Sequence, residues 1–480
     1  MASTHPHELP ELILYIAAYV PLRCLPSCAL VSKSWNQVFI PLIWRDMNSR
    51  DIYFGTDNIQ RHRHLVKTIE LNSYFLKRCA SMRFPNLESL SIENGYDYPG
   101  FEKFISNHLS VSLDMDFGRR ECLFRPEFLN KFLAFNTIKR IYCLCMEIDS
   151  TDPSSIWQLC TRSEQLELYN PYLSNFDQPS TMVCRIKELT IVDHYNHGKN
   201  YDEVLELMRR CPRLTTLHWY FGLNNEQARS FFPGLIRLLS EGTLPDLKSI
   251  FTDMNTEDEL SSQCISAFIR SMKQIHVFCI ASPWKIEPHH LELLRPHLDT
   301  ITEMNLGQAA DTTSAIAQQV LASCPMLERF KATHIYGRDV AKGQPWVCLR
   351  LRELVTTFIF GPSTIHHVQP LVFDQLSRLT RIENLTLYEE YYRIAGFQKS
   401  FDLRLECGLH KLATLRRLTV FQFSCTTQRM GMEEIEWMLK HWRSLSDVVA
   451  VLNLLDCELH LKLSQRLQEH GISHKYNFTF

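Results

Sequence analysis

The chain has 480 residues, 45% of them hydrophobic, and its 51 basic against 53 acidic residues leave a formal net charge of −2. That length suits about three ordinary domains or one long repeat array with a sizeable core, and paired basics scattered along the chain (Lys77-Arg78, Arg119-Arg120, Arg209-Arg210, Arg416-Arg417) argue against a nucleic-acid track, which needs clustered charge. No apolar run reaches the roughly 18 residues of a membrane span and no charged-then-apolar leader opens the chain, so a cytoplasmic or nuclear protein is expected. In such a compartment the sixteen cysteines read as reduced, mostly buried small hydrophobes. The Asn384-Leu385-Thr386 and Asn477-Phe478-Thr479 matches then say nothing about glycosylation.

In chain order, the first predicted elements lie in His7 to Met47. From Leu9, apolar residues recur at Leu12, Ile13, Ile16, Ala17 and Val20, one helical stripe. Leu14, Tyr15, Ala18 and Tyr19 make the opposite stripe apolar as well. Pro10 suits the first turn, and Pro21 ends the helix by pushing Val20 out of the α region. A second helix is expected over Pro26 to Phe39, with Ala29, Leu30, Val31, Trp35, Val38 and Phe39 as its apolar surface. A short third element carries Leu42, Ile43 and Trp44. Three such helices cannot bury all this surface alone, which points to a partner. A helical cap on a repeat array would account for one apolar face but not the other.

The sequence Leu9-Pro10, then Ile13, Ile16 and Val20, then Val31-Ser32-Lys33-Ser34-Trp35, and finally Leu42-Ile43-Trp44-Arg45 resembles the F-box family over about 40 residues. The resemblance implies docking onto a Skp-type adaptor. By that resemblance the adaptor-facing residues are expected to be Leu9, Pro10, Ile13, Ile16, Val20, Leu25, Val31 and Trp35, with Trp44 packing the third helix.

From about residue 60 a unit repeats, a pair of aliphatics three apart followed two later by a third. Clear copies are Leu87-Leu90-Ile92, Ile186-Leu189-Ile191, Ile275-Phe278-Ile280, Ile301-Met304-Leu306, Ile382-Leu385-Leu387 and Leu415-Leu418-Val420. Looser copies start at Val66, Ile138, Leu214, Leu247, Leu327, Leu351 and Leu445. Pro85, Pro212, Pro245 and Pro325 each stand two residues ahead of their unit's first aliphatic, where proline stops an incoming helix and begins an extended stretch. Helical patterns precede strands at Tyr201 to Cys211, Thr312 to Cys324 and Glu433 to Trp442. From Ile186 the spacing is about 24 to 33 residues, near the 20 to 29 of leucine-rich repeats. Stacked strand-plus-helix units have strands spaced roughly 4.8 Å and helices roughly 10 Å across, so a curved α/β solenoid with concave parallel strands is expected.

The chain from about residue 51 to 480 therefore resembles the helix-containing leucine-rich-repeat family, in about 13 or 14 irregular units. It departs from that family in the asparagine after the third aliphatic, present as Asn94 but mostly absent elsewhere, and residues 95 to 180 are hard to phase. An all-helical HEAT-type array would not account for the β-branched triplets.

Motifs for chemistry are missing. No G-x-G or G-x-S-x-G occurs, and Gly198-Lys199 lacks the upstream glycine of a phosphate loop. Cys143-x-Cys145, His194-x-x-His197, His289-His290 and His366-His367 do not have zinc-site spacing. The thiols read as buried strand residues and the histidines as loop or helix-surface residues. No cofactor is expected.

F-box families with leucine-rich repeats imply a substrate receptor of an SCF-type (Skp, cullin, F-box) ubiquitin ligase. Such a chain is not an enzyme; it holds a target near a conjugating enzyme on the cullin and works through effective concentration. Strand positions alternating with the buried aliphatics are the expected target-binding residues. They are Thr216, His218, Tyr220, Glu303, Asn305, Arg329, Lys331, Asn384 and Thr386, a mixed set that suits a protein surface better than a phosphate. The aromatic-rich insertion from Tyr388 to Phe401 is a second candidate face. A non-catalytic repeat scaffold or inhibitor, and an enzyme with an unrecognised cysteine site, are the competing readings.

Overall fold

The computed structural model describes residues 10–21, 24–47, 55–71, 73–93, 100–109, 111–116, 135, 137–144, 158, 160–169, 182–193, 201–221, 226–252, 259–280, 286–306, 314–361, 365–387, 401–423, 428–453 and 455–475. Leu9, Asn94, Cys145, His194, His197 and nearly all of the aromatic-rich insertion lie outside these residues. The chain divides into two compact units, residues 1–193 with 202–214, and residues 194–201 with 215–480.

The first unit opens with α1 (Pro10–Ala17), α2 (Leu25–Ala29) and α3 (Lys33–Arg45). The break between α2 and α3 corrects the single helix expected over Pro26 to Phe39. Ser32, in extended conformation, is the N-cap of α3, its hydroxyl accepting from the Trp35 N–H at 3.2 Å, and one helix then runs on to Arg45 despite Pro41. Ile13, Ala17, Leu25, Ala29 and Phe39 form the core of this head, with Val20, Trp35, Val38, Leu42 and Ile43 packed around it. Trp35 stacks on Phe39 with ring centroids 5.3 Å apart.

A parallel ladder follows in strict chain order: β1 (Asp46–Met47), β2 (Thr68–Leu71), β3 (Ser89–Glu93), β4 (Ser112–Asp116), β5 (Thr137–Leu144), β6 (Ser163–Tyr169) and β7 (Glu188–Asp193), each hydrogen-bonded to the next. Val66, Ile69, Leu87, Leu90, Leu113, Ile138, Leu166 and Leu189 are buried, as the aliphatic spacing requires. Helices α4 (Thr56–His62), α5 (Ser73–Cys79), α6 (Phe101–Ser106) and α7 (Tyr201–Arg209) connect the strands.

The second unit repeats the plan. Its parallel strands are β8 (Thr216–Phe221), β9 (Ser249–Thr252), β10 (Val277–Ile280), β11 (Glu303–Leu306), β12 (Arg329–Tyr336), β13 (Glu353–Ile359), β14 (Asn384–Leu387), β15 (Val420–Phe423), β16 (Asp447–Val449) and β17 (Ser473–Lys475). Between them run α8 (Glu226–Ser240), α9 (Glu259–Ser271), α10 (Pro288–Leu294), α11 (Ser314–Ser323), α12 (Gly337–Lys342), α13 (Ile365–Ser377), α14 (Met432–His441) and α15 (Cys457–Glu469), several of them packed on the next along the array. Each unit is a solenoid-like α/β arrangement, with apolar side chains from its strands and helices buried inside it.

Two details differ from the sequence reading. Strand β15 pairs Leu385 with Phe421 and leaves Val420 half-buried, so the repeat there is Leu418-Phe421-Phe423, three residues later than Leu415-Leu418-Val420. The strands β4, β6 and β17 also belong to units that the aliphatic spacing did not mark.

Candidate adaptor and target surfaces

On the helical head, packing separates the apolar stripes. Ile13 and Leu25 are 0% and 3% exposed inside the three-helix core, which removes them from the expected adaptor-facing set. Their role is to hold the helices together. Pro10 and Val31 are exposed, while Ile16, Val20 and Trp35 are half-buried at the margin of that core. Trp44 is buried and stacks on His62 with centroids 4.8 Å apart, so it ties α3 to the first repeat.

The face left open is the opposite stripe together with Leu12. Leu12, Leu14 and Tyr15 on α1, Tyr19 in the turn after it, and Leu30 and Val31 after α2, are large apolar side chains facing solvent, Leu30 with 85% exposure. Tyr15 and Tyr19 meet edge to face at 5.3 Å, their hydroxyls 3.3 Å apart. A domain that already has a filled core and still exposes this many apolar groups has the character of an interaction surface. Of this face only Val31 is in the expected adaptor-facing set; Leu12, Leu14, Tyr15, Tyr19 and Leu30 are not, and the excess apolarity of residues 12–19 and of the stretch before Ser32 is the signal for them.

In the second unit, register sets the expected target residues in two rows across the sheet. Thr216, Ser249, Val277, Glu303, Arg329, Glu353 and Asn384 form one row. His218, Phe251, Cys279, Asn305, Lys331, Val355 and Thr386 form the next. Arg329 binds the Glu303 carboxylate through Nε at 2.8 Å and through its terminal nitrogen, which holds its guanidinium above its usual pKa. His218 stacks flat on Phe251 at 4.1 Å and lies 3.4 Å from the Tyr220 hydroxyl. Lys331 is exposed. Thr386, at 7% exposure, is buried and is not available to a ligand, which corrects its place in the set.

Several of the buried cysteines lie in unreactive surroundings. Burial pushes the Cys79, Cys324 and Cys348 thiols up to about 12, and raises Cys279 further; thiols held protonated are poor nucleophiles. The Cys184 thiol is instead lowered by its hydrogen bond with Cys211, and both are fully buried.

Of the histidine pair of α10, His289 lies at the helix surface as expected, and His290 does not. His290 is buried, its Nε2 3.1 Å from the Ser262 carbonyl and its Nδ1 accepting from the Glu287 N–H at 3.0 Å. His289 has Nδ1 3.1 Å from Glu287 Oε2 and Nε2 3.0 Å from Ser266 Oγ. The order of groups is that of a nucleophile triad, but Ser266 sits inside α9, where neighbouring N–H groups serve the helix ladder and none is free to hold an oxyanion. The cluster ties α10 to α9. His366 and His367 are exposed on α13. No group of metal-ligating side chains occurs among the described residues, nor any helix long and apolar enough to cross a membrane.

Solenoid-like α/β units, the first of them opening with a small helical domain that has an open apolar face, are the class these observations define. The F-box-like family profile matches residues 10–50, which form an F-box-like domain. No curated protein matches the chain. Among solved structures, a crystal structure of the Rad7 and Elc1 complex in yeast is similar at 12% identity, over 98% of this chain and 98% of that one, with a TM-score of 0.43.

Proposed function

We propose that this chain is the substrate-recognition subunit of an SCF-type ubiquitin ligase, acting in the cytoplasm or nucleus without catalysing a step itself. The observation that carries the reading is the apolar face of the F-box-like head, Leu12, Tyr15, Tyr19, Leu30 and Val31, left open beside a core that is already complete. A Skp-type adaptor covers that face, Pro10, Ile16, Val20 and Trp35 lie at its margin, and the adaptor joins the chain to a cullin. The leucine-rich-repeat-like array presents a target protein on the strand rows holding Thr216, His218, Glu303, Asn305, Arg329, Lys331 and Asn384, with Tyr220 further along β8. Its contribution is effective concentration, the target lysine being kept near the conjugating enzyme's thioester.

Co-expression of the full chain with a Skp-type adaptor, followed by size-exclusion chromatography, tests this. A one-to-one complex is expected. A well-folded chain that elutes alone would instead favour a free-standing repeat scaffold or inhibitor.

A further inference from the structure

Three arginines that are far apart in sequence stand in line in the second unit. The register pairs Glu353 with Asn384 and Asn384 with Val420, so Arg350, Arg381 and Arg417, each three residues before its strand, occupy the same station of three consecutive repeats. Arg352, Arg378, Arg416 and Arg443 lie on the same strand-leading turns. Backbone and hydroxyl bonds lock these turns side by side: the Glu383 N–H donates to the Arg352 carbonyl at 2.8 Å, Thr414 Oγ1 to the Ser377 carbonyl at 2.6 Å, and Ser444 Oγ to the Arg416 carbonyl at 3.1 Å. Neighbouring guanidiniums therefore rise from backbones roughly 4.8 Å apart.

All seven arginines are exposed, and none makes an ion pair among the described residues. The contrast within the same unit is sharp: Arg295, Arg329, Arg404 and Arg466 are each paired with a carboxylate. Like charges stacked at one station repel. The residues beside the first of them, Val347 and Leu349, are exposed apolar side chains.

We propose that this edge binds an extended acidic segment, rich in aspartate and glutamate, of the target protein; the inference rests on the receptor reading for naming the target as its source. Guanidinium matches carboxylate in a planar, two-point fashion. Cations spread along a line suit a run of carboxylates, whereas a single phosphate group would want several guanidiniums converging on one point. A nucleic acid fits less well, since these turns carry no exposed aromatic side chain on which a base could stack. Val347 and Leu349 add an apolar contact at one end of the track.

The test is fluorescence anisotropy of the full chain with a fluorescein-labelled oligoglutamate peptide ending in two leucines, across a salt series. A single-stranded oligonucleotide of equal charge serves as competitor. The triple variant Arg350→Ala, Arg381→Ala, Arg417→Ala is expected to weaken peptide binding by about tenfold or more and to flatten its salt dependence. The control Arg295→Ala, Arg466→Ala should stay within about twofold of native, and both variants should melt as native does, because all five sites are at the surface. Absence of peptide binding at low salt, equal binding by the triple variant, or an equal loss in the control overturns the proposal. So does an oligonucleotide that binds more tightly than the peptide. Adaptor binding is read separately, so failure of the receptor reading would show as a lost adaptor complex with peptide binding intact.

Discussion

Placing charge on Leu30 and Val31 separates docking from folding. The two side chains are 85% and 63% exposed, so the double change Leu30→Asp, Val31→Asp should alter stability by about 0.5 kcal/mol or less per site. If both are anchors of the adaptor interface, each loss is worth about 2 kcal/mol or more. Together that is ~4 kcal/mol, or nearly a thousandfold in affinity. Ile13→Asp is the counterpart: at 0% exposure among Ala17, Leu25, Ala29 and Phe39, it puts an unpaired carboxylate into the head's core. That costs several kcal/mol and unfolds the head. Co-elution with a Skp-type adaptor, run beside circular dichroism melting, reads both quantities. The Leu30/Val31 variant should keep the native melt and lose the adaptor, whereas the Ile13 variant should lose both. Native-like co-elution of the Leu30/Val31 variant would refute the assignment of the docking face, and a folded Ile13→Asp head that merely fails to bind would refute the assignment of the core.

The buried Gln318 donates to the Gln344 carbonyl at 2.8 Å and accepts from the fully buried Trp346 Nε1–H at 2.7 Å. Gln318→Leu orphans both groups and should cost about 1–3 kcal/mol for each, read as a lower urea midpoint; an unchanged midpoint would show that the network adds nothing. Burial lowers the pKa of His108, His290, His297, His460 and His474. At His108 the neutral ring is needed, since Nε2 accepts from the Phe84 N–H at 3.0 Å while Nδ1–H donates to the Phe104 carbonyl at 2.7 Å. The folded pKa values lie below the unfolded value of about 6.5, so this stability is full above that pH and is lost as pH falls below it, by up to ~1.4 kcal/mol per pH unit for each group. Urea midpoints that hold steady from neutral pH down to about 5 would contradict this. Gly408 has φ of 113°, and an added Cβ would meet the Phe373 ring at 2.8 Å. Gly408→Ala should therefore lower stability by about 1–3 kcal/mol in thermal unfolding, and a native-like melt would contradict the strain.

The aliphatic triplets were legible because burying one face of a strand fixes the spacing of Leu, Ile and Val whatever the rest of the unit does. Phase was less secure: Leu415-Leu418-Val420 fits the template as well as Leu418-Phe421-Phe423 does, and only the pairing of Leu385 with Phe421 decides between them. On the head, the sequence displayed two apolar stripes on α1. Which of them turns inward depends on where Leu25, Ala29 and Phe39 pack, and that is a tertiary fact. Ser32, whose hydroxyl caps α3, marked the helix boundary that apolar spacing alone ran through. Thr386 follows strand alternation and is buried nonetheless. The arginine edge could not be read from the chain, because Arg350, Arg381 and Arg417 are separated by whole repeats and meet only through parallel register.

Hydrogen exchange of the full chain, with and without a Skp-type adaptor, tests the central claim most directly. The account predicts that the adaptor slows exchange within residues 10–47, above all around Tyr15, Tyr19, Leu30 and Val31, and leaves β8 to β17 unchanged and free for a target. Protection spread over those strands, or none on the head, would contradict it.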